Sequence, residues 1–167
     1  PHPRGMTALA QQDATTAAAA FAAAAAKCPT NFEAQIQLAI VNTRLGETAA
    51  AVAAAARALE IRPDSAEARL VSGQAAYLKK DYLRAIDDFS AVARETSLPA
   101  ALRSEAWVGR GVVEFAKSQP DASRISFIRA RRLNPRNAAA WYHLGMLSRD
   151  TYHYDAAASE QFEMASR

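Results

Sequence analysis

A chain of 167 residues suits one compact domain or a short repeat array, and its 50% hydrophobic content excludes a disordered segment. About a quarter of the residues are alanine and few are aromatic, which points to an all-α protein and away from a sheet rich in β-branched residues. The net charge of +3 demands no anionic partner, and Cys28, the sole cysteine, leaves no intrachain disulfide or cysteine-based zinc site.

Along the chain, the run AAAAFAAAAA at 17–26 is about half the length that a bilayer crossing needs, and Asp13 precedes it where a signal sequence would carry positive charge. It is predicted to be a packed helix within a partial helical pair before residue 28, with no membrane insertion. Further helices are predicted over 31–45, 48–61, 65–79, 82–94, 98–117, 120–133, 137–149 and 155–166. The breaks are polar: RLGET (44–48), KKDY (79–82), KSQPD (117–121) and RDTYHYD (149–155), with IRPDS (61–65) and LNPRN (133–137) ending longer units. Pro120 is a good first helical residue. Ser97 is the expected N-cap of the longest helix, with Pro99 just inside it.

These helices recur with one period. Pro29 and Pro63, Ala39 and Gly73, Ala51 and Ala85, Trp107 and Trp141, and Gly111 and Gly145 are each 34 residues apart. From Gly73 to Gly111, and from Phe89 to Phe127, the step is 38, so four residues are added around TSLPAALR (96–103), close to one helical turn. The resulting units are a partial one at 1–30, then 31–65, 66–103, 104–137 and 138–167, forming one continuous repeat domain. Both chain ends look cut from something longer.

The residues at these spacings resemble the tetratricopeptide repeat family. WYHLG (141–145) carries the family's Trp and Leu-Gly; WVGRG (107–111) is followed by Ser123, Phe127, Ala130 and Pro135; Gly73, Ala85, Phe89 and Val92 mark the unit before. The first full unit has Leu38, Ala39, Ala51, Ala58 and Pro63, but Ala55 stands where an aromatic is usual. Ala17, Phe21, Ala24 and Pro29 match the tail of a further unit, with Gly5 at its glycine position, and Ala158, Phe162 and Ala165 match the last. The resemblance implies a solenoid of helical hairpins wound as a right-handed superhelix.

The stretch WYHLGMLSRDTYHYDAA (141–157) has the residue types of a metal or acid/base centre, but the period makes it a repeat unit. His143 and His153 are ten residues apart with no third ligand in a recognisable motif, so both are expected on the surface, with no metal bound. No glycine-rich phosphate loop or nucleophile elbow is present, so the reading is non-catalytic with no cofactor. Arg110 and Glu114, four apart on a helix, are expected to form an ion pair shielded at a helix interface.

Two surfaces are candidate sites. One stripe on each first helix avoids the Trp, Leu and Gly packing positions: Ile36, Ile40 and Arg44; Leu70, Gln74 and Tyr77; Val108, Val112 and Phe115; Tyr142, Met146 and Arg149. The resemblance implies that this face lines a concave groove, with Tyr77, Phe115 and Tyr142 as anchors. Ile36, Ile40, Val71 and Glu105 replace the Lys, Asn and Arg of family members that clamp a terminal carboxylate, so no such clamp is expected. The expected partner is a protein or peptide, an amphipathic helix or apolar segment, with self-association through the same face as a variant. The other surface is basic: Arg124, Arg129, Arg131, Arg132 and Arg136 would decorate the convex side, where nucleic acid or an anionic surface is the less favoured ligand. A regulatory or targeting arm of a larger enzyme or secretion assembly is the alternative role, and the compartment stays open between cytoplasm and periplasm.

Overall fold

The computed structural model describes residues 3–151 together with 160, 161 and 164, with side chains from Ala10 onward. The described residues form helices α1 (Pro3–Lys27), α2 (Phe32–Leu45), α3 (Thr48–Ile61), α4 (Ala66–Leu78), α5 (Tyr82–Ala93), α6 (Ala100–Ala116), α7 (Pro120–Leu133) and α8 (Ala138–Asp150), and no strand. The helix expected over 155–166 lies largely outside the described residues, as do His153, Ala158, Phe162 and Ala165.

Two boundaries depart from expectation. The predicted helical pair before residue 28 is one continuous helix, α1, because the chain from Thr7 to Lys27 contains no glycine or proline to stop it and is dominated by alanine. Ser97 is not an N-cap: its hydroxyl and backbone N–H both donate to Glu95 Oε1, at 2.8 and 3.2 Å, and hold that carboxyl below its ordinary range. Helix α6 starts after Pro99 instead, with no side-chain cap. Asn31, Ser65 and Asn137 occupy the equivalent entry positions of α2, α4 and α8, and each side-chain oxygen accepts from the N–H three residues on. Arg103 stands at that position in the lengthened helix, and its Nε donates to the Ala93 carbonyl at the end of α5, at 3.1 Å.

Helices α2, α4 and α6 end alike. Gly46, Lys80 and Ser118 have φ of 75°, 65° and 61°, and the next residue's N–H reaches back five positions, Glu47 to Asn42, Asp81 to Ala76 and Gln119 to Glu114, each at 2.9 Å. This is the Schellman termination, in which the left-handed residue satisfies the last carbonyls and glycine bears no Cβ penalty. Lys80→Gly and Ser118→Gly are each expected to raise stability by about 0.5–1 kcal/mol, the relieved left-handed strain partly offset by glycine's freedom in the unfolded chain. The denaturation midpoint reports the gain, and a midpoint that falls refutes it.

The chain divides into two compact units, residues 1–81 and 82–167. In the first, α1 packs on α2, and α2 packs on both α3 and α4. Its core joins Phe32, Ile36 and Val71 to the small side chains of α3, among them Ala51, Ala54, Ala55 and Ala58. Without the usual aromatic, methyl groups fill this interface, and Arg62 covers the Phe32 ring at 4.2 Å. In the second unit α5 packs on α6, α6 on α7 and α7 on α8.

Glycine sets the spacing in that second unit. A Cβ on Gly111 would lie 2.6 Å from the Phe127 ring, and one on Gly109 would lie 2.5 Å from the Phe89 ring. Each phenyl group therefore rests directly on the backbone of α6, which only a residue lacking Cβ permits. Both rings are buried.

Candidate functional site

Polar chemistry concentrates where α5, α6 and α7 meet. Arg110 Nε donates to Glu114 Oε1 at 2.7 Å, the expected pair one helical turn apart. Ser126 Oγ donates to Glu114 Oε2 at 2.7 Å, and an Arg110 terminal nitrogen donates to Ser90 Oγ at 3.2 Å. Both carboxylate oxygens are thus satisfied, which a buried charge requires. Two further serines with no exposure tie helices together: Ser123 Oγ donates to the Gly111 carbonyl, and Ser104 Oγ to the Ala130 carbonyl while accepting from Asn137 Nδ2. The serine hydroxyls and both oxygens of the Glu114 carboxylate all meet protein partners, so the network locks helix register.

His143 is a correction to the expected surface histidine. It is half-buried, stacked on the Phe127 ring with centroids 4.9 Å apart and planes 8° from parallel, while Tyr142 meets it edge-on at 5.5 Å. The repeat explains the placement, since residue 143 is the equivalent of Gly109, which meets Phe89 in the same way. Burial pushes the His143 imidazole below its ordinary value. Its neutral form is therefore favoured in the folded state, so stability is full above about pH 6.5 and falls as pH drops through that value toward the folded pKa. Melts from pH 7.5 to 5 should show this loss in the natural protein and a smaller one in His143→Gln; equal losses would place its source elsewhere. No group of three or more His, Cys, Asp or Glu that could hold a metal occurs among the described residues.

The first-helix stripe divides into covered and open parts. Ile36 and Leu70, expected to line an open face, are buried, because α2 and α4 pack against each other and close the N-terminal part of the stripe. Ile40 is half-buried, whereas Arg44, Gln74 and Tyr77 are exposed. In the second unit Val108, Val112 and Met146 are half-buried, the two valines packing on Phe127, Leu144 and Leu147, while Arg149 is exposed and bonded to Asp150 at 2.6 and 3.1 Å. Phe115 keeps 53% of its surface in solvent, Tyr142 49% and Tyr77 38%. All three aromatic residues of the stripe are accessible.

On the second helices, Arg124, Arg129, Arg132 and Arg136 are exposed and Arg131 is half-buried. Arg129 lies over the Trp107 ring at 4.8 Å and Arg131 over the Trp141 ring at 4.8 Å. Two exposed aliphatic residues escaped the sequence reading, Leu83 at 75% on α5 and Ile125 at 51% on α7. Helical spacing pointed to Ile125, which is five positions before the buried Ala130 and so off the packing face.

A family model described as a tetratricopeptide repeat matches residues 3–66, 44–98 and 108–167. A search of curated proteins finds no match. Among solved structures, TTC0263, a thermophilic TPR protein of Thermus thermophilus, superposes with a TM-score of 0.78 at 19% identity, covering 96% of this chain and 86% of its own. Pseudomonas aeruginosa pilF gives 0.75 at 20%, covering 97% and 72%, and MamA gives 0.69 at 19%, covering 99% and 94%. At such identities the likeness is one of fold. With the family model spanning nearly all of it, the chain belongs to the tetratricopeptide repeat family, whose members generally mediate contacts between proteins.

Proposed function

We propose that the chain is a non-catalytic interaction scaffold that holds an amphipathic helix or apolar segment of a partner protein on the first-helix faces of its second unit, α6 and α8. The observation that carries this reading is the exposure of Phe115 and Tyr142 beside the half-buried Val108, Val112 and Met146. Large aromatic side chains in water mark interaction sites, and they concentrate binding energy when a partner covers them. Tyr77 offers a similar anchor on the first unit. No helix among the described residues is long and apolar enough to cross a membrane.

Such a surface supports association of about −8 kcal/mol, or micromolar strength. Fluorescence anisotropy against a panel of labelled amphipathic helical peptides tests it. Phe115→Ser with Tyr142→Ser should weaken the best binder by more than about tenfold, since aromatic anchors carry a large share of the energy. The melting curve should stay unchanged. Unaltered binding removes the face from consideration, and a collapse of the melt makes these rings core.

A further inference from the structure

The outward side of α7 has a composition that the repeat fold does not require. From Ala122 to Arg149 the sequence contains no aspartate or glutamate, and Arg124, Arg129, Arg131, Arg132 and Arg136 fall within that span. Among the described residues no carboxylate forms an ion pair with Arg129, Arg131, Arg132 or Arg136. Ile125, Arg129 and Arg132, at i, i+4 and i+7, share the face opposite the buried Ser126, Phe127 and Ala130. Ile125 is half in solvent at its centre. Arg129 is held in place by the Trp107 ring beneath it, so part of the cost of ordering that side chain is met before any partner arrives.

We propose that this face, Ile125 framed by Arg129, Arg132 and Arg136, is a second docking surface that takes an acidic, helix-forming segment of a partner protein. Charge complementarity selects the occupant: guanidinium groups without intramolecular carboxylates, one of them already seated on Trp107, bind carboxylates from outside through charge-assisted hydrogen bonds. The exposed isoleucine selects a peptide over a phosphate backbone, because an apolar side chain seated on Ile125 gains burial that phosphate does not supply. Single-stranded nucleic acid would also gain from free stacking platforms. Trp107 is buried, and Arg129 and Arg131 cover the two indole rings.

The test uses the full chain and a fluorescein-labelled helical peptide with glutamates at i and i+4 around a central leucine. The peptide should bind, and Arg132→Glu with Arg136→Glu should weaken it by at least about tenfold, reversed charge adding repulsion to lost attraction. Ile125→Ser, or serine for the peptide's leucine, should weaken it several-fold. Phe115→Ser with Tyr142→Ser should leave it unchanged, which separates this surface from the one on α6 and α8. Should the charge-reversed variant fail to fold, Arg132→Gln with Arg136→Gln is expected to give a smaller loss in the same direction. Absence of peptide binding, or indifference to both arginine variants, overturns the proposal. So does tighter binding of a labelled single-stranded oligonucleotide or of phosphatidylserine vesicles, unaffected by Ile125→Ser.

Discussion

Phe127→Ala is expected to destabilise the second unit by about 3–5 kcal/mol, the usual cost of deleting a buried phenyl ring. The ring has 2% of its surface exposed and is gripped from two directions, by the bare backbone of Gly111 on α6 and by the stacked imidazole of His143 on α8. Its loss therefore empties a space bounded by relatively fixed backbone, which collapses poorly and so places the cost toward the upper end. Gly111→Ala attacks the same contact from the other side, by overpacking, at about 1–3 kcal/mol. Chemical denaturation of each variant measures both, and a silent Phe127→Ala would mean that α7 is docked in another register.

Glu114→Ala is expected to cost about 3 kcal/mol, as a broken buried ion pair leaves a charge without its counterpart. Side-chain exposure of 5% for Glu114 and 20% for Arg110 makes the pair largely dry, yet the arginine keeps a route to water and a hydrogen bond to Ser90. Those two outlets keep the figure from the top of the range. The Ser126 hydroxyl loses its acceptor as well. Arg110→Met with Glu114→Met should lose less than Glu114→Ala alone, because removing both charges leaves neither stranded. A double variant as damaged as the single one would show that the network contributes through shape and not through charge.

The period made most of the helices legible in advance. α3 and α7 begin and end where the spacing placed them, and α2, α4, α5 and α8 differ by a residue or two, because entry caps such as Asn31, Ser65 and Asn137 and the prolines after α3 and α7 are local signals. Position 111 was legible as a packing glycine for the same reason. Long-range facts were not. The period implied a break within α1, yet nothing there opposes a helix, and the alanines carried it through. Ile36 and Leu70 have the spacing of an open stripe, but which part of the stripe a neighbour covers depends on how α2 meets α4. His143 has no ligand set around it in the sequence and so reads as a surface residue, whereas its equivalence to Gly109 decides that it faces an aromatic ring. The left-handed conformation of Lys80 and Ser118 was hidden because neither residue type advertises it; only alignment with Gly46 does.

Among the described residues of each unit, substantial helix packing joins sequence neighbours, apart from α2 with α4, one helix removed. Contacts of such short separation cost little loop-closure entropy before they are rewarded, so each unit should fold in microseconds to milliseconds, as low-contact-order helical proteins do. The same locality affects synthesis. Helix α2 packs on α1 and on α3 without waiting for any later part of the chain, so this assembly can begin as soon as α3 leaves the ribosome, and α4 then completes the burial of Ile36.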